Sequence, residues 1–199
     1  MRPALLTTPL LGGLLCALSL GACSLRPDVP SPRFLEPALP PAAAADPTTA
    51  SDLAARLGVI DSDELLRRDL LRYAGDAEVR RDPLWRWTDP PSQALRQRLE
   101  LAAGSLGIAL RDRADLPLVT ATVLRFGVLE GATAQEFTVQ ILLRCRLPDG
   151  TERTRIVAAQ APFSGTLPGT LPQVAGTLLT TVSTDAWAQV RTWSKPGGG

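Results

Sequence analysis

The chain has 199 residues, 45% hydrophobic and 21% charged, the shares of an ordinary globular protein, which exclude wholesale disorder. Its 21 basic and 20 acidic side chains nearly cancel, and loss of Arg2 with a leader would balance them, so the basic excess that nucleic-acid binding needs is missing. There is no histidine, which excludes Ser-His-Asp and Cys-His catalysis and most zinc sites, and Cys16, Cys23 and Cys145 are too few for a disulfide framework or a four-thiolate metal site.

The basic residues are arginines apart from Lys195, and arginine does not serve as a Schiff-base nucleophile. The expectation is a protein that is not an enzyme and carries no cofactor and no metal. At the N-terminus Met1-Arg2 precedes an apolar run over residues 4–22. Its strong core, residues 10–20, has the length of a signal-peptide h-region and is too short for a membrane span of about 20 apolar residues. The run ends Leu20-Gly21-Ala22-Cys23. Small residues at 21 and 22 let a peptidase reach the backbone, and the Cys23 thiol suits thioether formation. The tetrapeptide resembles a bacterial lipobox, whose cysteine is diacylated, becomes the N-terminus and is acylated again, typically with palmitate. Cys16, inside the h-region, lacks the small residues before it. Each buried methylene contributes about 0.8 kcal/mol, so several acyl chains hold a protein to a bilayer essentially permanently. Ser24 stands where inner-membrane lipoproteins of enteric-type bacteria carry aspartate. By resemblance to that sorting rule, the destination is the periplasmic face of the outer membrane of a Gram-negative bacterium, with the chain tethered and not spanning.

Residues 23–50 read as a Pro/Ala-rich tether, with prolines at 27, 30, 32, 37, 40, 41 and 47. At about 3.1 Å per residue an extended proline-rich chain would place the domain up to roughly 80 Å from the lipid. The exception is Arg33-Phe34-Leu35-Glu36, an apolar patch able to add an edge strand. One domain is expected over residues 51–194, with residues 195–199 as a flexible tail. Within it, residues 53–60 suggest a short strand, and residues 65–73 are ambiguous between helix and strand because Leu65, Leu66, Leu70 and Leu71 have helical spacing. Residues 78–87 read as a strand. Asp89-Pro90-Pro91-Ser92 starts a helix, with Asp89 or Ser92 as cap; Leu95, Leu99, Ala102, Ala103 and Leu106 form its apolar stripe, and Gly107 ends it.

Residues 118–128 alternate as a strand with a phase change after Val123 that marks a bulge. Residues 136–147 alternate more cleanly, with Phe137, Val139, Ile141, Leu143, Cys145 and Leu147 on one side. Pro148-Asp149-Gly150 turns the chain into a partner strand at 154–161. A final helix spans residues 171–193, with Val174, Leu178, Val182, Ala186 and Val190 at four-residue spacing. The fold class expected is α+β: a single domain with a mainly antiparallel sheet and two helices packed on one face.

Trp85 and Trp87 share a face of their strand. Trp87 is expected in the core over the Leu95 and Leu99 stripe, while Trp85 and Trp193 are candidate partner-interface residues and Trp187 the buried member of the last helix. Cys145 reads as a small buried hydrophobe. Asp61 with Asp63, and Asp112 with Asp115, lack the glycine and terminal glutamate of a calcium loop and suit turn capping. The interleaved charges over residues 61–86 suggest a solvated surface, with a docking stripe as the alternative, and Glu64 and Arg68 would pair if their segment were helical. Ser164-Gly165 does not form a nucleophile elbow. No catalytic residue is assigned, and the one modification site is Cys23.

Several segments together resemble one family: Arg33-Phe34-Leu35-Glu36-Pro37, Arg68-Asp69-Leu70-Leu71-Arg72-Tyr73, Arg86-Trp87-Thr88-Asp89-Pro90-Pro91, Leu95-Arg96-Gln97-Arg98-Leu99, Leu124-Arg125-Phe126 and Val174-Ala175. Their order is similar to that of the ABC-type transport auxiliary lipoproteins, the PqiC-like group, over most of residues 31–193. Phe34-Leu35-Glu36 stands where family members often show Tyr-x-Leu. The resemblance implies a non-catalytic periplasmic accessory subunit at the outer membrane. Its partners would be a mammalian-cell-entry (MCE) domain protein and, through it, an inner-membrane ABC permease and ATPase, in a system that moves lipids or other apolar solutes. Homo-oligomerisation stays open. The alternative is a structural envelope lipoprotein that assists secretion or outer-membrane assembly.

Overall fold

The computed structural model describes residues 30–39, 53–75, 78–131, 135–164 and 166–195. The expected leader, Cys23 and residues 40–52 lie outside the described residues, as do residues 196–199 of the tail. The elements below all belong to one compact unit, Pro32–Gly199.

The strongest alternation in the sequence produces the longest strands. In chain order the strands are β1 (Arg33–Leu35), β2 (Ala54–Ser62), β3 (Asp69–Ala74), β4 (Glu78–Trp87), β5 (Ala109–Leu110), β6 (Leu118–Glu130), β7 (Gln135–Arg146) and β8 (Glu152–Pro162). The helices are α1 (Pro91–Ser105) and α2 (Leu171–Trp193). Along β7, Phe137, Val139, Ile141, Leu143 and Cys145 are fully buried, because a period of two sends them to the covered face. The β7–β8 hairpin closes where expected: Gly150 takes φ 85°, and Asp149 Oδ1 accepts the Thr151 N–H at 2.8 Å. In the β6–β7 ladder Val123 faces Ile141 and Arg125 faces Gln140, so Leu124 is the extra residue of the expected bulge.

The sheet is mixed, which corrects the expectation of a mainly antiparallel one. β6–β7, β7–β8 and β3–β4 pair antiparallel, while β1–β4, β2–β5, β2–β6 and β3–β6 pair parallel. β2 and β3 lie end to end along one edge of β6, opposite residues 118–123 and 127–129 respectively, and β7 takes its other edge. Short turns force antiparallel neighbours, but α1 intervenes between these strands and β6 and returns the chain in the same direction. The ambiguous stretch at 65–73 resolves into a 3-10 turn (Glu64–Leu66) capped by Asp63, followed by β3, so no helical Glu64–Arg68 pair forms. Its helix-like leucine spacing arises because Leu70 and Leu71 are both buried although neighbours in a strand point to opposite faces. Gly127 permits the β3 approach: a Cβ there would stand 2.3 Å from the Leu71 carbonyl oxygen.

Both helices lie on one face, as expected. α1 packs on β2, β5 and β6, α2 packs on β7 and β8, and the two helices pack on each other. The start of α1 differs from the expected side-chain cap: Pro90 is the N-cap residue, with no capping bond from Asp89 or Ser92. Pro91 at the first helical position has no N–H, so one donor that a cap would satisfy is absent. At the other end Gly107, at φ 68°, turns the chain, donating to the Gly104 carbonyl at 3.2 Å while the Ile108 N–H reaches the Ala103 carbonyl at 2.8 Å. This pair of bonds is a Schellman closure. Trp187 is fully buried on α2, and its Nε1–H donates to the Leu99 carbonyl of α1 at 2.8 Å, tying the helices together. Trp87 is 1% exposed and meets Phe126 and Phe137 edge-on at ring-centre distances of 4.9 and 5.7 Å, in the same core as Leu95 and Leu99.

Candidate functional site

The segment the sequence marks as an apolar island in the tether is built into the domain. β1 adds in parallel to the edge of β4, with Arg33 opposite Trp85, Phe34 opposite Arg86 and Leu35 opposite Trp87. Leu35 is buried, and its carbonyl accepts the Thr88 N–H at 2.8 Å and the Thr88 hydroxyl at 3.1 Å. Four residues of extended chain follow and run across the helix pair. The Ala38 N–H donates to the Pro172 carbonyl at 2.9 Å, and Arg98 Nη2 donates to the Ala38 carbonyl at 2.5 Å. Gly176 of α2 lies so close that a Cβ would stand 2.1 Å from the Ala38 oxygen. Arg98 is 4% exposed, and burial pulls its pKa down, though an arginine stays charged at any physiological pH. A buried guanidinium, two backbone bonds and a glycine notch therefore hold residues 35–38 as part of the fold.

This docking changes the reach of the N-terminal segment. A reach of roughly 80 Å needs the whole tether to be free chain, whereas the expected exception, Arg33-Phe34-Leu35-Glu36, supplies β1, and the chain preceding the domain ends there. Cys23, the expected lipidation site, precedes Arg33 by ten residues and lies outside the described residues.

The two tryptophans expected at a partner surface are placed differently from each other. Trp85 is 8% exposed, so its ring is no free surface: the Arg33 guanidinium lies over it at 5.6 Å. Parallel addition of β1 covers it, a contact invisible to strand periodicity. Trp193, at the end of α2, is half-buried against the core edge.

The carboxylates serve turns and ion pairs. Asp61 accepts from the Ser62 N–H, Asp63 from the Leu65 N–H, and Arg113 holds Asp115 at 2.6 Å, keeping that carboxyl below its usual range. Asp112 is a loose partner of Arg56 at 3.9 Å. In the charged stretch Asp82 is 7% exposed, accepts the N–H groups of Leu84 and Trp85, and pairs with Arg72 at 2.9 Å, which also reaches Glu130 at 3.2 Å. Asp69 is shared by Arg81 and Arg86, each at 3.4 Å. Most of these partners are exposed, as a solvated surface requires. Among the described residues no group of three His, Cys, Asp or Glu could hold a metal ion, and no helix is long and apolar enough to cross a membrane. Cys145 is fully buried and burial pushes its thiol up to about 11, so it is a packing residue.

Sequence reasoning passed over Arg98 and Gly176. Arg98 carried a signal: it falls between Leu95, Leu99 and Ala102 on the buried side of α1, a charge at an apolar position. Gly176 carried none, because its close neighbour is 138 positions away in the chain.

No protein-family model matches the sequence, and no curated protein matches it significantly. Solved structures do match. A Xanthomonas campestris protein described as belonging to DUF330 superimposes with a TM-score of 0.66 at 16% identity, covering 79% of this chain and 95% of that one. A structure described only as an uncharacterized protein gives 0.56 at 15% identity, over 83% of this chain and 100% of its own. A hypothetical protein from Chlamydia trachomatis gives 0.50 at 8% identity, over 72% and 98%. At these identities the likeness is one of fold: the chain has the PqiC-like fold of a DUF330 protein.

Proposed function

We propose that this protein is a lipid-anchored periplasmic lipoprotein of the Gram-negative outer membrane. It acts as a non-catalytic auxiliary component of an ABC/MCE-type lipid or solute transport system, docking that assembly at the outer membrane. The observation that carries the reading is the fold match along 95% of a DUF330 chain, joined to the order of motifs from Arg33-Phe34-Leu35 through Trp87-Thr88-Asp89-Pro90-Pro91 to Val174-Ala175. Leu20-Gly21-Ala22-Cys23 supplies the anchor in this reading. The chemistry of the described residues is in keeping with a binding role: the acidic pairs are occupied in turns and ion pairs, and the one described thiol is buried and protonated. The test is affinity purification of the full-length protein from detergent-solubilised envelopes of its own host. Recovery of an MCE-domain protein together with a permease and its ATPase supports the role, and recovery of secretion or assembly machinery in their place overturns it.

A further inference from the structure

β8 is paired on one side only. β7 takes one edge along the whole strand, and among the described residues no strand lies on the other. An open edge of 11 residues is a row of unmet N–H and C=O groups that accepts a further strand, and proteins ordinarily blunt such an edge with charge. In β8 the charge is confined to one half. Glu152, Arg153 and Arg155 precede Ile156, whereas Val157, Ala158, Ala159, Gln160 and Ala161 follow it. A parallel copy in register would stack arginine on arginine. An antiparallel copy lays the charged half of each strand against the small, uncharged half of the other, so the strand is complementary to itself. Ile156, where the halves meet, is 53% exposed.

The helix side of the edge fits the same partner. Arg155 lies on that side, opposite buried Leu143 in the ladder, and its Nη1 donates to Gln189 of α2 at 2.8 Å. Arg155 and Val157 line a groove of about 350 Å³ together with Asp185, Ala188 and Thr192 of α2. Asp185 is exposed and, among the described residues, makes no hydrogen bond or ion pair. With a two-fold axis at Ile156 and perpendicular to the sheet, Arg155 of each copy falls opposite Val157 of the other, at the mouth of the groove that holds Asp185. An axis at Arg155 would oppose the two guanidiniums, and one at Val157 would carry Arg155 on to Ala159, outside the groove, and part the two isoleucines. The helices agree with this placement. α2 packs on β7 and β8, so the two copies of α2 would run about two strand spacings apart, roughly 10 Å, which is a helix contact distance. The stripe that each would present, Thr181, Asp185, Ala188 and Thr192, is exposed and made of short side chains.

We infer that the free edge of β8 is a self-association surface: two copies of this chain join their sheets antiparallel about Ile156, with Arg155 of each paired to Asp185 of the other. The full-length protein, in density-matched detergent, is examined by sedimentation equilibrium and by disulfide trapping. Opposed residues at the axis have Cα atoms about 4.5–5.5 Å apart, within disulfide range, so Ile156→Cys should form a linked dimer under mild oxidation. In this register Ala158→Cys stands about 14 Å from its own copy and should not link. The parent chain, whose Cys145 is buried, sets the background. Asp185→Arg, at an exposed position, should weaken self-association roughly tenfold or more by opposing two arginines at each end of the seam, and adding Arg155→Asp to it should restore the association. A monomer overturns the inference, and so does any assembly in which the thiol at 158 links as well as the thiol at 156. Unchanged self-association in Asp185→Arg, or a double variant as weak as the single one, overturns the Arg155–Asp185 pairing and the register with it.

Discussion

Gly176→Ala sets two effects of opposite sign against each other. In a helix interior alanine is favoured over glycine by about 1 kcal/mol, so propensity alone predicts a more stable protein. The structure puts the new methyl 2.1 Å from the Ala38 oxygen, a backbone atom held from one side by Arg98 and tied through its own N–H to Pro172. Neither side can yield a full ångström without loss of the Ala38 N–H bond, worth about 1 kcal/mol, and of the charge-assisted bond from Arg98, worth about 1.5–3 kcal/mol. Expulsion also leaves a buried guanidinium with fewer acceptors. The losses win, and the net expectation is destabilisation by about 2–4 kcal/mol, or a drop in Tm of about 5–15 °C for a domain of this size. Gly104→Ala is the matched control: nothing lies within 4 Å of its Cβ position, so it should raise stability by up to ~1 kcal/mol. Thermal melts followed by circular dichroism give the stabilities. Tryptic cleavage after Arg33, which requires local opening of β1, should run at least tenfold faster in Gly176→Ala. A Gly176→Ala protein that melts at or above the wild-type temperature with unchanged cleavage would refute the docking of residues 35–38 between the helices.

Trp87→Ala removes a ring held edge-on by Phe126 and Phe137 and should cost about 3–5 kcal/mol in chemical denaturation; a wild-type midpoint together with lost partner binding would instead mark an exposed binding residue. Asp82→Ala leaves Arg72 and the N–H groups of Leu84 and Trp85 without their carboxylate and should cost about 2–4 kcal/mol, read from the same curves. Because burial raises the Cys145 thiol from 9.0 to about 11, thiolate at pH 8 is about a hundredfold scarcer in the folded protein than in the unfolded one. Aromatic-disulfide labelling should accordingly wait on unfolding, and fast stoichiometric labelling of the native protein would contradict the burial. Cys23→Ala should release the protein from the outer-membrane fraction while leaving its circular dichroism spectrum unchanged; retention of the variant there would sink the lipid anchor.

Local chemistry was legible where one short stretch decides the outcome. Alternation in β7, the Asp149-Gly150 turn, the Leu124 bulge, the Pro91 start and Gly107 end of α1 and the whole of α2 could all be read from neighbours a few positions apart. The absence of histidine belongs to the same class, since no packing changes it. What the sequence could not decide was direction and distance. Alternation is identical in parallel and antiparallel strands, so the mixed order of the sheet depended on α1 carrying the chain back over it before β6. The cover over Trp85 depended on a strand more than fifty residues upstream, and the docking of residues 35–38 depended on Arg98 and Gly176 meeting Ala38 from two different helices. Those contacts are made between residues far apart in the chain, and only the packed tertiary structure brings them within reach of one another.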